Sequence, residues 1–293
     1  IDFNRVGGPV GDPNFYSQIL LMVFPIALYR VLDKKSSKDE KLLALLATTV
    51  ITGAIIFTYS RGALMALLLI IGLILLERKI NVYKIGLVGL VVLGLAFPVL
   101  PSGYKERMLT IVGLGGVAEG QADGSAQGRL SESLVAIEMF FDNPILGIGY
   151  GQYSANYLDY SIYLGMDGRL QNREAHNLYL EAAAETGMVG LVALTFMFAI
   201  VFRETNKAKK RLVDLKREDL RPWIVALQFG LLAYMVNSIF LHDSYVRYLR
   251  LSIALVVSST ALVDALLAQQ TAKQNRKRLA ALDEEAPKLA QYF

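Results

Sequence analysis

His176 sits in the stretch Glu174-Ala-His-Asn-Leu-Tyr-Leu180, where a polar segment meets an apolar helix, and it is one of only 2 histidines in the chain. Histidine is the side chain whose ordinary pKa lets it exchange a proton near neutrality, and an ionisable group at a membrane interface is a functional candidate by default. The chemistry it suggests is acceptance of a proton from a substrate hydroxyl; the plainer reading is an interfacial polar cap. If Gly168 to Gly187 is largely helical, Arg169, Arg173 and His176 stand at i, i+4 and i+7 and share one face. Two guanidinium groups there suit an anionic substrate, and their charge would hold the imidazole neutral. Glu181 and Glu185 fall away from that face and read as polar partners for other helices.

Two more arginines favour the functional reading. Arg61 lies in Thr58-Tyr-Ser-Arg-Gly-Ala63, between two apolar runs, at the end of the bundle where basic residues are otherwise scarce. A charge held beside hydrocarbon costs several kcal/mol unless it is partnered, so an anion is expected near it. Arg129 follows a glycine-rich segment and starts a helical run. Arginine presents planar, always-charged donors that match phosphate oxygens two at a time, and several of them at one membrane face suggest a pyrophosphate site. Asp12-Pro-Asn14 reads as a helix cap, and His242-Asp243 as a secondary candidate. The chain has no cysteine, which removes disulfides and thiolate chemistry, and two histidines leave little for a zinc site. No metal and no cofactor are expected.

These residues need membrane helices to position them. The 293-residue chain is 54% hydrophobic, with a mean hydropathy of +0.41, and holds several apolar runs of the kind that cross about 30 Å of hydrocarbon. They lie near Phe15–Tyr29, Leu42–Tyr59, Ala63–Leu76, Ile85–Leu100, Met188–Phe202, Trp223–Phe240 and Leu249–Ala268. The fold expected is all-α, a polytopic transmembrane bundle of about seven spans forming a single membrane domain over residues 1–293. Basic residues fall in alternate loops: Arg30 to Lys41, Arg78 to Lys84, Arg203 to Arg221, and a tail over residues 269–293. The positive-inside rule puts those loops in the cytoplasm, with the N-terminus and the active face outside. The same rule accounts for the formal charge of +4 and pI near 9.1 without nucleic acid. Because the chain opens on Ile1 in a polar segment, further spans are expected upstream.

The outer side then carries one long loop, residues 101–175. Gly113 to Gly128 is rich in small and polar residues and reads as mobile. Leu130, Leu134, Ile137 and Phe141 recur at helical spacing up to Asn143-Pro144, which predicts an amphipathic helix resting on the membrane surface or on the bundle. Gly147-Ile-Gly-Tyr-Gly-Gln-Tyr153 follows no strand, so it reads as a tight turn near packed helices rather than a nucleotide loop.

Taken together, Gly11-Asp-Pro-Asn14, Ser60-Arg-Gly-Ala63, Arg129 upstream of Asn143-Pro-Ile-Leu-Gly-Ile-Gly149, Ala175-His-Asn-Leu-Tyr-Leu180 and Glu185-Thr-Gly-Met-Val-Gly-Leu191 resemble the O-antigen ligase and polymerase superfamily of bacterial inner-membrane glycan transferases. The resemblance runs over nearly the whole chain. It implies a GT-C-like, metal-independent, inverting glycosyltransferase. The implied donor is an undecaprenyl-pyrophosphate-linked glycan, transferred at the periplasmic face to a lipid or polysaccharide acceptor during lipopolysaccharide or other cell-envelope assembly. By the same resemblance Arg61 and Arg129 engage the pyrophosphate and His176 is the base. A polymerase of the same superfamily is the alternative; from other classes, an anion or small-solute transporter and a non-catalytic assembly subunit remain.

Overall fold

The structure is a computed structural model that describes residues 5–80, 83, 86, 122–166, 171–242 and 246–289. Every regular element among them is helical. The expected span Ile85–Leu100, the start of the glycine-rich segment, Arg169 and Asp243 lie outside the described residues.

Among the described residues, four of the eight α-helices begin on a side-chain cap supplied by the residue just before them. Helix α1 (Pro13–Leu32) starts on Asp12, whose carboxylate accepts from the amides of Asn14 and Phe15, with a proline in the first turn. Helix α2 (Lys38–Phe57) opens with a reciprocal box between Ser37 and Glu40, and α3 (Arg61–Glu77) on Ser60. Then come α4 (Ala122–Asp142) and α5 (Tyr153–Tyr163). They are followed by α6 (Leu178–Asp214), α7 (Arg221–Asn237) and α8 (Val246–Leu289).

Helix α1 is the centre of the bundle, packed on α2, α3 and α7. Leu21, Phe24, Ile55, Ala66, Ile70, Ile74, Val225 and Ala233 form the buried core between them. Gly230 of α7 lets that helix meet the α1 backbone: a Cβ there would stand 2.4 Å from the Met22 carbonyl oxygen. A second core joins α6, α7 and α8 through Phe198, Val201, Leu231, Tyr234 and Val256. Outward, α2 presents Leu42, Leu43, Leu46, Val50 and Phe57 fully to the surroundings. Such a face is stable against hydrocarbon and not against water. Four described helices are long and apolar enough to cross a membrane, within Pro13–Leu32, Lys38–Phe57, Leu178–Asp214 and Arg247–Ala280; α3 and α7, 17 residues each, pack within the same bundle. The chain is a multi-pass helical membrane protein.

Two expectations change. Helix α4 begins at Ala122, inside the segment read as a mobile glycine-rich loop, because extending an existing helix adds one hydrogen bond per residue and overrides weak local preference. Gly168 to Gly187 is not one helix: residues 171–175 are irregular and α6 starts only at Leu178. His176 has φ 48°, in the left-handed region, and the Asn177 side chain caps α6 by accepting from the amides of Tyr179 and Leu180. Arg173 and His176 therefore do not share a helix face.

Candidate functional site

The site lies at the end of the bundle where α1, α3, α4 and α6 begin and α7 ends. His176 is turned inward by its left-handed backbone, and its imidazole stacks on that of His242, with centroids 5.0 Å apart and planes 11° from parallel. Phe15 of α1 meets His242 edge-on at 5.1 Å. The Nδ1 atoms of both histidines are buried with no hydrogen-bond partner. The segment is held from α7: the Leu178 amide donates to the Ser238 carbonyl at 3.0 Å, and the Tyr179 hydroxyl to the Met235 carbonyl at 2.8 Å.

Burial is the main cause that pushes the His176 pKa down to about 4, assisted by Arg129 and Arg173 and opposed by Asp12. His242 is likewise pushed down to about 4, by burial and then by His176. Both rings are neutral at pH 7. Asp12, read from sequence as a helix cap, is one, and its charge also reaches both imidazoles.

Arg61 is the first residue of α3 and Arg129 lies in α4. Burial lowers the Arg129 pKa first, repulsion from Arg61 second, with Glu132 opposing. A helix N-terminus already carries partial positive charge, so Arg61 and Arg129 together make a strongly electropositive corner. Arg173 is fixed by a 2.9 Å ion pair to Glu132, whose side chain is 0% exposed. The stripe Leu130, Ile137 and Phe141 faces outward, as do Ile145 and Leu146. The opposite face of α4, with Ser131, Glu132, Val135, Ala136 and Met139, is buried against α5 and α6. The apolar stripe expected for this helix is thus its exposed face, and the helix packs on the bundle through the other. Glu132 and His242 were undervalued in the sequence. An Arg129-to-Glu132 spacing of i, i+3 was the available signal for the first; the second had none.

The turn after α4 plugs into a break in α6. Gly187 has φ 63° and interrupts the helix. The amides this frees, Met188 and Val189, donate to Pro144 and Ile145, while the carbonyls of Ala184 and Glu185 accept from Ile148 and Gly149. The Glu185 carboxylate accepts from the amides of Gly151 and Tyr153, capping α5. A Cβ on Gly187 would stand 2.4 Å from the Ile145 carbonyl, and one on Gly147 2.3 Å from Glu185 backbone. The glycine string is a close-approach turn, as its lack of a preceding strand implied. Gly187→Ala is expected to destabilise the protein by about 2 kcal/mol through backbone strain and clash, read as a lowered Tm in detergent; an unchanged Tm would show that the break is not needed.

Among the described residues no group of three or more His, Asp or Glu side chains is placed to hold a metal ion. The sequence profile of the family described as O-antigen ligase matches residues 43–195, a stretch that holds Arg61, Arg129, Arg173 and His176. The curated O-antigen ligase of Salmonella typhimurium is 26% identical over 210 residues, covering 68% of this chain and 48% of that protein. The chain spans about half the length of that relative.

Proposed function

The chain belongs to the O-antigen ligase family, and from that premise we propose that it is a membrane glycosyltransferase that moves a glycan from an undecaprenyl-pyrophosphate donor to an acceptor hydroxyl. The observation that carries the proposal is a half-buried imidazole, its Nδ1 sealed from solvent without a partner, set within the positive field of Arg129 and Arg173. Arg61 and Arg129 bind the pyrophosphate, with Arg173 extending the positive surface. The polyprenyl chain lies along the outward apolar residues of α4. His176 accepts the acceptor's hydroxyl proton as that oxygen attacks the anomeric carbon. The bond to the pyrophosphate oxygen breaks on the opposite side, its electron pair leaves with the lipid pyrophosphate, and configuration inverts. Asp12 is engaged as a helix cap and Glu132 in an ion pair, which supports a reading in which guanidinium groups rather than a metal ion stabilise the leaving group. The concentration of basic residues at the opposite end of the bundle supports a site facing the periplasm from the bacterial inner membrane.

The test is transfer by the purified full-length protein from a defined undecaprenyl-pyrophosphate glycan, with lipid A core and a growing polysaccharide offered as separate acceptors. Product on the first marks a ligase, product on the second a polymerase, and no product with either overturns the proposal. Arg61→Ala and Arg129→Ala should each weaken donor binding by about 1.5–3 kcal/mol, and Lys replacements should recover only part because two-point geometry is lost. Donor affinity unchanged in both Ala variants would remove the pyrophosphate assignment.

A further inference from the structure

The end of the bundle opposite His176 holds a cavity of about 530 Å³ between the C-termini of α1 and α3 and the N-terminus of α7, within the size range of ligand pockets. Most of the charges around it are answered. Arg30 pairs with Asp33 and Glu40, Arg221 with Glu77, and Asp219 with Arg217. Arg78 is the exception. Its guanidinium lies 4.9 Å over the Tyr29 ring, and its Nε and Nη2 atoms are buried with no hydrogen-bond partner. A buried charged donor without an acceptor is expensive and calls for a ligand. Lys34 and Lys35 also line the cavity, and among the described residues neither is in an ion pair. The exposed carboxylate of Glu218 also lines the cavity, and the rest of the wall is apolar and aromatic, with Leu32, Ile80 and Trp223.

We propose that this cavity binds a phosphate-bearing anion, supplied as the glycerophosphate headgroup of an acidic phospholipid in the leaflet opposite the glycan-transfer site. The phosphate lies against the Arg78 guanidinium and is neutralised by Lys34 and Lys35. The headgroup source follows from position. The cavity sits at helix ends, where headgroups lie, and Trp223, exposed on its wall, is an aromatic residue of the kind that anchors that layer. An acyl chain can leave along Leu32 and Ile80, which a free phosphate would not use.

The experiment is a thermal-shift titration of the full chain in a neutral detergent with dihexanoyl phosphatidylglycerol. Dihexanoyl phosphatidylcholine and inorganic phosphate are the comparison arms. The expected result is a rise in Tm with phosphatidylglycerol alone, and a midpoint at least about tenfold weaker in Arg78→Gln, as loss of a charge-assisted hydrogen bond requires. The exposed pair Lys34→Gln/Lys35→Gln should weaken the midpoint as well, and it carries the test if Arg78→Gln does not fold. An equal shift with phosphate overturns the lipid source, and an equal shift with phosphatidylcholine overturns charge recognition. A midpoint unchanged in the folded variants overturns the site.

Discussion

Replacing His176 with Ala lowers glycan transfer by about two to four orders of magnitude while leaving the protein folded, inserted and able to bind donor, if the imidazole is the base. Its left-handed backbone suits His somewhat better than Ala, a small cost in a bundle of this size, so loss of fold is not the expected outcome. The pH profile sharpens the test. With donor absent, the His176 pKa lies near 4, because burial and two arginines oppose the imidazolium. As pH falls through that value the ring gains a proton and the base is lost, so kcat/KM for donor, which reports the free enzyme, should hold to an acid limb near 4. A bound pyrophosphate supplies negative charge beside the same ring and raises its pKa. The acid limb of kcat, which reports the complex, should therefore sit higher, toward the ordinary 6.5. A ring pushed so low is a feeble base, and the donor's charge is what makes it competent. Near wild-type transfer by purified His176→Ala, or acid limbs that coincide, would favour the interfacial polar cap.

Glu132→Gln is expected to cost about 3 kcal/mol of stability, the low end for breaking a buried ion pair, because the Arg173 guanidinium left behind keeps some access to solvent. Adding Arg173→Gln should recover part of the loss, since no uncompensated charge then remains. A double variant whose Tm falls by the sum of the two single changes would mean the pair is not coupled. Glu132→Gln also removes the charge that opposes burial at Arg129, so donor binding should be measured alongside Tm to separate the effects.

Local signals in the sequence were sound and long-range ones were not. The apolar runs located α1, α2 and α3, and Asp12 marked the start of α1; the caps Ser37 and Ser60 stood in the sequence but were not used. The α4 stripe fell on a helix, as its period implied. The placement of Arg173 and His176 on one helix failed although Asn177, a good cap just before an apolar run, was there to mark the true start. The ion pair of Glu132 could not be read, because its partner, Arg173, is 41 positions away. His242 could not have been placed against His176 at all, since only the packing of α7 on α6 brings them together.

The break at Gly187 bears on how members of this family can be recombined. Residues 144–149 and 184–189 share backbone hydrogen bonds, and Glu185 holds the start of α5, so the segment carrying α4 and α5 is stitched into a membrane helix and is not a detachable module. A chimera that grafts only the segment before α6 from a relative of different acceptor preference would unite two halves of a seam that were not cut to match. The transferable unit runs from α4 through at least Val189, and exchange of specificity should succeed or fail with that boundary.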